Sequence, residues 1–232
     1  MNTGNVRPVA AARKGQKPPG PRPYVSRVRA DAAVETRHRV LAAARELFLT
    51  QGYARTTMAS VAAEAGVAVD TVYASVGRKP QLLRLVLETA ISGGDEVVPA
   101  EQRNYVREIQ AAPDAAAKLR LYASAIAAIM PRLAPVVRVC VEAGPSEPEV
   151  AGMWHAISER RAANMRLFAG ELAATGRLRP GLTVEDAGDV LWATNSPEMY
   201  ELLVGQRGWS LEKYETFLAE TWQQLLLVPG TT

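Results

Sequence analysis

Residues 66–83 of the chain read GVAVDTVYASVGRKPQLL, and the order of turn and helix signals in them is informative about the fold. It predicts a tight turn at Gly66, a short helix over about Val69–Val76, a second turn, and a helix that begins at Pro80, where the fixed φ of proline suits the first helical turn. Just upstream, Thr57 can cap another short helix, MASVAAEA, which Gly66 closes. Two short helices joined by a glycine turn form a helix-turn-helix.

The sequence on both sides of this stretch also has helical spacing. Upstream, Val40, Ala44 and Leu47 fall on one stripe, and Gly52 suits the end of that helix. No alternating strand pattern follows, so we predict an all-α fold. The predicted downstream helices span about 102–111, 113–144 with an interruption and kink at Pro131, 147–176, 183–195, 197–206 and 210–227.

Charge and composition divide the chain into three predicted regions. Residues 1–30 are rich in Pro, Gly, Arg and Lys, carry seven bases and no acid, and are predicted to form a disordered basic arm. Residues 31–93 are predicted as the helix-turn-helix DNA-binding domain, and residues 94–232, with thirteen bases and eighteen acids, as a larger helical domain. The positive charge of the N-terminal region suggests that this region contacts a polyanion, although a solvated tail explains the same charge.

Composition also bounds the cellular setting. The chain has one cysteine, Cys140, so it cannot form an intramolecular disulfide, and we predict a buried apolar role for it. No signal peptide pattern opens the sequence, and no uninterrupted apolar run of about 18 residues occurs. The sequence therefore predicts a cytoplasmic protein that is not inserted in a membrane.

The second helix of the motif has the size and the exposed side chains needed to read DNA. Such a helix fits the major groove of B-DNA, with its N-terminal residues against base edges. Thr57, at a helix N-terminus, can bind a phosphate, and Lys79 flanks the other side. The ring of Tyr73 can lie against the backbone or a thymine methyl. The alternative is structural, because short helices joined by glycine occur in many all-α proteins and Tyr73 could merely cover the edge of the core.

Residues 37–87 resemble the N-terminal domain of the TetR family of transcriptional regulators. The resemblance rests on ARELFLTQGY, TT, VAAEAGV, TVY and the K-x-x-L that starts the next helix, in fixed order. It implies an all-α homodimer whose small N-terminal domains bind a palindromic operator on double-stranded DNA. It also implies a larger C-terminal domain that dimerises and binds a small-molecule effector, which changes the separation of the two DNA-binding heads.

The family's DNA-contacting positions can be carried over residue by residue. The resemblance implies base-facing roles for Val69, Asp70 and Tyr73. It implies phosphate contacts for Thr57, Thr71, Tyr73, Ser75 and Lys79. The sequence departs from the family pattern in four ways. Ala68 stands where a capping Ser or Thr is usual, and Val76 replaces an aromatic residue. The pair Gly77–Arg78 precedes Lys79, and Asp70 is acidic where small residues are common. Asp70 either accepts a hydrogen bond from a cytosine amino group or only stabilises the helix N-terminus.

The C-terminal region carries the candidate effector and dimer residues. Apolar and aromatic side chains suited to line a pocket between helices are Tyr122, Met130, Met153, Trp154, Met165, Phe168 and Trp192. The alternative is ordinary core packing, which for any single one of them is the favoured interpretation. The apolar faces of the last two helical stretches predict the dimer interface, with packing inside the chain as the alternative. These faces carry Val190, Leu191, Ala193, Met199, Leu202 and Leu203 on the first stretch, and Phe217, Leu218, Trp222, Leu225 and Leu226 on the second. From these residues we expect an apolar or amphipathic effector.

The sequence is compatible with three classes of function to different degrees. The leading one is a ligand-responsive transcriptional regulator, most simply a repressor. The second is a DNA-architectural protein in which the basic arm does most of the binding. The third is an all-α enzyme, which the sequence disfavours: His38 and His155 fall in different predicted domains, and no Ser/His/Asp order or metal-ligand cluster occurs. No cofactor is predicted.

Overall fold

The structure is a computed structural model that describes residue 1 and residues 23–93, 98–99 and 102–229. The prediction that residues 1–30 form a disordered arm falls largely on residues 2–22, which lie outside the described residues. The described residues form ten α-helices: α1 (Pro23–Arg55), α2 (Met58–Ala65), α3 (Val69–Val76), α4 (Lys79–Ser92), α5 (Asn104–Ala111), α6 (Ala115–Ala143), α7 (Pro148–Ala174), α8 (Val184–Thr194), α9 (Pro197–Tyr200) and α10 (Leu211–Leu226). In this part of the chain, β-structure is limited to one isolated bridge between Leu178 and Leu227, so the all-α prediction is confirmed.

The first helix is longer than the sequence predicted. It begins at Pro23, upstream of the residue 31 at which we expected helical structure to start. Proline is well suited to a first helical position, and no further Pro or Gly interrupts the sequence until Gly52. At Gly52 the backbone leaves the helical region, with φ 79° and ψ 169°, which fits the predicted end of the regular helix.

Helix α6 corrects the interruption predicted at Pro131. The helix runs unbroken from Ala115 to Ala143 with both Pro131 and Pro135 inside it. Each proline removes one backbone hydrogen bond, from the carbonyls of Ala127 and Pro131 respectively. The helix survives because α1, α4, α5, α7 and α10 pack around it and hold it in place.

Apolar side chains form two clusters along α6. The first joins α1–α4 to the C-terminal part of α6 and the start of α7, through residues such as Phe48, Leu83 and Val137. The second joins α5 and the N-terminal part of α6 to α7, α8 and α10, through residues such as Tyr122 and Trp222. Helix α6 thus connects the helix-turn-helix to the second apolar cluster.

Among the described residues, α6 is also the one helix long and apolar enough to cross a membrane by length and composition. Of its most apolar 18-residue window, 56% is buried inside the protein. The core helix of a soluble protein passes the same test, so this helix is weak evidence for a membrane span.

A π-helical turn spans Glu201–Gln206, directly after α9. The Arg207 N–H donates to the Leu202 carbonyl at 3.2 Å, and the Trp209 N–H donates to the Leu203 carbonyl at 3.1 Å, so the chain is wound more loosely here than in an α-helix. The sequence predicted ordinary helix over 197–206.

Candidate nucleic-acid interface and effector site

The geometry of α2 and α3 depends on Gly66 between them. Gly66 is left-handed, with φ 66° and ψ 40°, and its N–H donates to the carbonyls of Ala62 and Ala63. This conformation closes α2 and turns the chain into α3. Val72 and Val76 are the buried residues of α3, in the same apolar cluster as Val61 of α2. The predicted helix-turn-helix is therefore present.

The N-terminus of α2 is capped as predicted. The Thr57 hydroxyl oxygen accepts from the Ser60 N–H at 3.0 Å, and the Ser60 hydroxyl oxygen accepts from the Thr57 N–H at 3.0 Å. Thr57 itself is exposed. Its position at an exposed helix N-terminus, where the backbone dipole favours an anion, suits a phosphate contact.

One face of α3 is presented to solvent. Val69 is 38% exposed and Tyr73 47% exposed, which is high for large apolar side chains. The other predicted contact residues on this face, Asp70 and Thr71, are exposed as well. Ala68, the N-cap residue, makes no side-chain hydrogen bond to α3, as its identity predicted. Asp70 is in the first helical turn, where its negative charge interacts favourably with the positive end of the helix dipole.

Ser75 lies differently from the other predicted contact residues. It is half-buried, and its hydroxyl donates to the Val72 carbonyl at 3.0 Å within α3. Its carbonyl accepts a 2.6 Å hydrogen bond from Nη1 of Arg37. Ser75 therefore belongs to the part of α3 that is fastened to α1, and only the remaining lone pairs of its hydroxyl are available to a ligand.

Lys79 is the first residue of α4 and packs on an aromatic ring. Its Nζ lies 3.9 Å from the centre of the Tyr53 ring, a cation–π contact. Burial lowers the pKa of Lys79, and nearby Glu147 partly offsets this. Burial also raises the pKa of the Tyr53 hydroxyl to about 12, with smaller contributions from Glu147 and Glu149. Lys79 thus lies just after the C-terminal end of α3, with its ammonium group on the Tyr53 ring.

Sequence reasoning missed three residues that hold the motif in place. Arg37 fastens the C-terminal end of α3 to α1, and Nη1 of Arg39 donates to the Ala65 carbonyl at the end of α2, at 3.3 Å. Glu149, at the start of α7, accepts a hydrogen bond from Gln81 Nε2 at 3.1 Å. The arginines were visible as bases on helix one, but only the fold shows that they reach the carbonyl ends of two other helices, where positive charge is favourable.

The predicted effector residues are divided between the two apolar clusters. Tyr122, Met130, Met165, Phe168 and Trp192 belong to the second cluster. Met153 and Trp154 instead pack against the first cluster, beside the helix-turn-helix. Helical spacing could not distinguish these two environments, because α7 spans both.

A hydrogen-bonded group of side chains occupies the middle of the second cluster. Asn195, which is 1% exposed, donates through Nδ2 to the Tyr122 hydroxyl oxygen at 2.6 Å and to the Met165 sulfur at 3.1 Å. The Tyr122 hydroxyl donates to the same sulfur at 3.2 Å. The Tyr122 ring stacks on Trp222, with centroids 5.3 Å apart, and meets Phe168 edge to face at 5.1 Å. No sequence pattern had indicated Asn195.

A half-buried cation lies beside this group. Arg161 donates from Nη2 to the Trp192 carbonyl at 2.9 Å, and its guanidinium carbon is 5.2 Å from the centre of the Trp192 ring. Burial lowers the pKa of Arg161, which Tyr122 and Glu198 partly offset, whereas burial raises the pKa of Tyr122 well above its usual range. Tyr122 is therefore neutral and acts as a hydrogen-bonding group.

Several polar atoms of this region are buried without a hydrogen-bond partner among the described residues. They are Arg161 Nε, Trp192 Nε1, Asn195 Oδ1 and the Tyr214 hydroxyl. Buried polar atoms are normally paired, and leaving one unpaired costs about 1–3 kcal/mol. Such atoms in a functional protein are candidates to bind a ligand or ordered water. We call the set Tyr122, Arg161, Trp192, Asn195 and Tyr214 the polar cluster.

Two cavities are present elsewhere in the described part of the chain. One, of about 220 Å³, lies between α1, α4 and α6. The other, of about 570 Å³, lies near Arg177, Arg179 and the end of α10. Neither is lined by any of the seven predicted effector residues.

Cys140 has the environment that the sequence predicted. The side chain is 1% exposed and belongs to the first apolar cluster. Burial raises the pKa of its thiol to about 12, so the reactive thiolate is disfavoured. In the described part of the chain, no group of three His, Cys, Asp or Glu residues is arranged to hold a metal ion.

The comparison with known proteins agrees with the helix-turn-helix. Residues 40–86 match the family profile described as bacterial regulatory proteins, tetR family. A curated relative, the HTH-type transcriptional regulator HbdR of Aromatoleum sp. (strain CIB), is 34% identical over 67 residues. The match covers 29% of this chain and 29% of that protein, so the relative informs only this part of the molecule.

Solved structures extend the similarity to the whole fold. NalD of Pseudomonas aeruginosa, the secondary repressor of the MexAB-OprM multidrug efflux pump, superposes with a TM-score of 0.66 at 20% identity, over 84% of this chain and 98% of NalD. A transcriptional regulator from Saccharomonospora viridis in complex with choline gives 0.63 at 16% identity, over 84% and 99% of the two chains. At these identities the likeness establishes the fold.

Proposed function

We propose that this chain, whose residues 40–86 belong to the TetR family of bacterial regulatory proteins, is a ligand-responsive transcriptional regulator that binds double-stranded DNA as a homodimer. The observation that carries the proposal is α3, which is held from behind by Val72, Val76 and Arg37 and presents Val69, Thr71 and Tyr73 to solvent. A short rigid helix that presents its N-terminal residues is what the major groove accommodates.

The residue roles we propose follow from this presentation. Val69, Asp70 and Tyr73 face base edges, while Thr57, Thr71, Tyr73, Ser75 and Lys79 contact phosphates. Thr57 and Thr71 are exposed, so phosphate groups of the DNA can reach them, and Lys79 contributes its charge from beside Tyr53. Phosphate contacts orient the head, and base contacts give it sequence preference.

Binding selection followed by titration tests the proposal. DNA fragments are selected by the full chain from a random pool, and affinity for the selected DNA is compared with affinity for random DNA at one salt concentration. We expect a preference of at least 10³-fold, the lower end for specific DNA-binding proteins. We expect Thr71→Val, which keeps the side-chain volume, to weaken binding to both DNAs. A wild-type protein without preference would contradict the proposal.

The same titration addresses the DNA-architectural alternative. In that case the basic arm does most of the binding, and a chain lacking residues 1–22 loses most of its affinity for any DNA. In a regulator of the proposed kind the shortened chain keeps its preference for selected DNA, because α3 is intact. For the shortened chain, the slope of log K against log salt concentration becomes shallower by about 0.9 for each phosphate contact that is lost.

The proposed effector binds at the polar cluster. Its apolar surroundings favour an apolar or amphipathic molecule, and the unpaired Arg161 Nε and Trp192 Nε1 are donors, so the molecule carries a carbonyl or similar acceptor. A quaternary ammonium such as choline is not expected to bind here, because Arg161 already supplies positive charge.

Effector binding can be followed without labels, since all four tryptophans lie in residues 154–222. A panel of uncharged aromatic amides and ketones, with choline as the control, is titrated into the protein and into its DNA complex. We expect a member of the panel to change the fluorescence and to weaken DNA binding, and Arg161→Gln to remove both effects. A panel that quenches fluorescence equally in wild type and in Arg161→Gln would contradict this assignment.

If the chain binds its DNA in the cell, it acts in the cytoplasm.

A further inference from the structure

The cavity of about 220 Å³ between α1, α4 and α6 has a composition unlike that of the polar cluster. It brings together bases from two of these helices, namely His38 and Arg45 of α1 and Arg132 of α6. Its apolar wall includes Leu41 and Ala90. None of the described residues that line it is acidic.

The two guanidinium groups lack partners in this part of the structure. No hydrogen bond or ion pair joins Arg45 or Arg132 to an acceptor among the described residues, and Arg132 Nε is buried with no hydrogen-bond partner there. Nη2 of Arg132 lies only 3.0 Å from the position that a Cβ atom on Gly93 would occupy. Glycine at this position thus lets the guanidinium lie against the end of α4.

We propose that this cavity is a binding site for a small organic carboxylate. A planar guanidinium matches a carboxylate with two parallel hydrogen bonds, and a buried, unpaired Nε gains most from such a partner. Leu41 and Ala90 supply the surface for a short apolar body. The volume suits a ligand smaller than a typical drug-sized molecule.

The position of the site gives it a possible regulatory consequence. Its walls come from α1 and α4, which belong to the first apolar cluster with the helix-turn-helix, and from α6, which runs into the second. A ligand that contacts all three helices favours one arrangement of them over others. This consequence depends on the proposed function, whereas binding of the carboxylate does not.

Calorimetric titration of the full chain with benzoate, in the absence of DNA, tests the site. We expect benzoate to bind. Its neutral isostere benzamide, which lacks the negative charge, and inorganic phosphate, which lacks the apolar ring, should each bind at least tenfold more weakly. Arg132→Gln should weaken benzoate binding about tenfold or more, in line with the loss of a charged hydrogen bond. Since no DNA is present, a failure of the DNA-binding proposal would leave this result unaffected.

Arg138→Gln is the matched control. Arg138 is on the same helix, is exposed, and pairs locally with Glu142 at 3.8 Å, so its variant should bind benzoate like wild type. Equal thermal midpoints for the two variants would show that Arg132→Gln is folded. If Arg132→Gln is unfolded, Arg45→Gln replaces it with the same expectation.

Three results would overturn the proposal. One is equal binding of benzoate and phosphate. Another is benzoate binding that survives Arg132→Gln but is lost in Arg161→Gln, which would assign it to the polar cluster. The third concerns Asp95 and Glu96, which lie outside the described residues: if benzoate binds only to the variant D95N/E96Q, the chain's own carboxylates use the site.

Discussion

Tyr73 is the residue whose exposure and position agree best with contact to DNA. The side chain is 47% exposed and no partner in the described part of the chain holds its hydroxyl. We expect Tyr73→Ala to weaken binding to selected and to random DNA by about tenfold or more, the scale of a hydrogen bond to a charged phosphate. The thermal midpoint should not change, because the ring packs little.

Tyr73→Phe separates the two contributions of this residue. If the hydroxyl binds a phosphate, the Phe variant loses most of the affinity that the Ala variant loses. If the ring lies on a thymine methyl, the Phe variant keeps it. Fluorescence anisotropy on labelled DNA measures both, and wild-type affinity in the Ala variant would show that Tyr73 does not touch DNA.

Tyr53 makes the stability of the protein sensitive to alkaline pH. Its pKa rises from 10.0 to about 12 in the folded protein because it is buried, so between these values the folded state holds a proton that the unfolded state releases. The free energy of unfolding therefore falls as pH rises through this window, by at most about 1.4 kcal/mol per pH unit for one such group.

Tyr53→Phe should flatten this pH dependence. Urea unfolding at pH 9, 10 and 11 measures it, with Tyr73→Phe as the control, since that exposed residue should leave the slope unchanged. The remaining slope in Tyr53→Phe reports Tyr122, Tyr214 and Cys140, whose pKa values burial also raises. An identical slope in wild type and Tyr53→Phe would show that Tyr53 ionises freely in the folded protein.

At the scale of elements, the contact between α7 and α8 depends on one glycine. Gly188 is buried, and a Cβ atom there would lie 2.9 Å from Arg166 Cγ and 3.0 Å from Arg166 Cα. The backbone of α7 cannot move as easily as a side-chain end. We expect Gly188→Ala to lower the free energy of unfolding by about 1–3 kcal/mol, the usual cost of overpacking.

Gly152 is a matched control for this prediction. It lies in the interior of α7, is exposed, and has no atom within 4 Å of the position of a Cβ. Gly152→Ala should raise the free energy of unfolding by about 0.4–1 kcal/mol, because alanine restricts the unfolded chain. Urea denaturation compares the two variants, and a stable Gly188→Ala protein would show that α8 can shift away from α7.

Local signals made the helix ends predictable from the sequence, whereas contacts between residues far apart in the chain could not be predicted. Thr57, Gly66 and Pro80 mark helix ends by their own chemistry, and the predicted α2 and α3 agree with the structure. The contact of Arg37 with the Ser75 carbonyl joins residues 38 positions apart and leaves no pattern in the sequence. The unbroken α6 likewise depends on its neighbours, since proline alone predicts an interruption.

The candidate site was predictable to a similar degree. The exposed positions of α3 follow from helical periodicity, and the resemblance gave them roles. The polar cluster was only partly predictable, because Tyr122 and Trp192 stood out as large side chains. Asn195 and Arg161 look like ordinary polar residues, and only the fold buries Asn195 and brings Arg161 to the Trp192 carbonyl.

For the whole molecule, the predicted dimer places specific demands on the last helices. Of the apolar residues predicted for the interface, those facing inward are fully buried in the chain itself and are not available to a partner: Leu191, Leu218, Trp222 and Leu226. Leu202 and Leu225 are 51% and 50% exposed. Among the predicted interface residues, these two are large apolar side chains that a second copy could cover.

We expect the double variant L202E/L225E to be a folded monomer with weak DNA binding. Charge buried in an interface without a partner is costly, and a single head loses the second half of its site. Sedimentation velocity at micromolar concentration measures the change. Val141→Glu is the control, because Val141 is equally exposed, at 50%, but lies on α6, and it should remain dimeric. A wild-type protein that sediments as a monomer would contradict the dimer.

Footprinting of the wild-type protein on its selected DNA tests whether the two α3 helices of a two-fold symmetric dimer bind the DNA. Dimers of helix-turn-helix proteins bind half-sites separated by whole turns of the double helix, about 10–10.5 base pairs or a multiple. We predict two protected half-sites related by two-fold symmetry, with protection lost at both in Tyr73→Ala. A single protected half-site, or uniform weak protection along the fragment, would contradict the account.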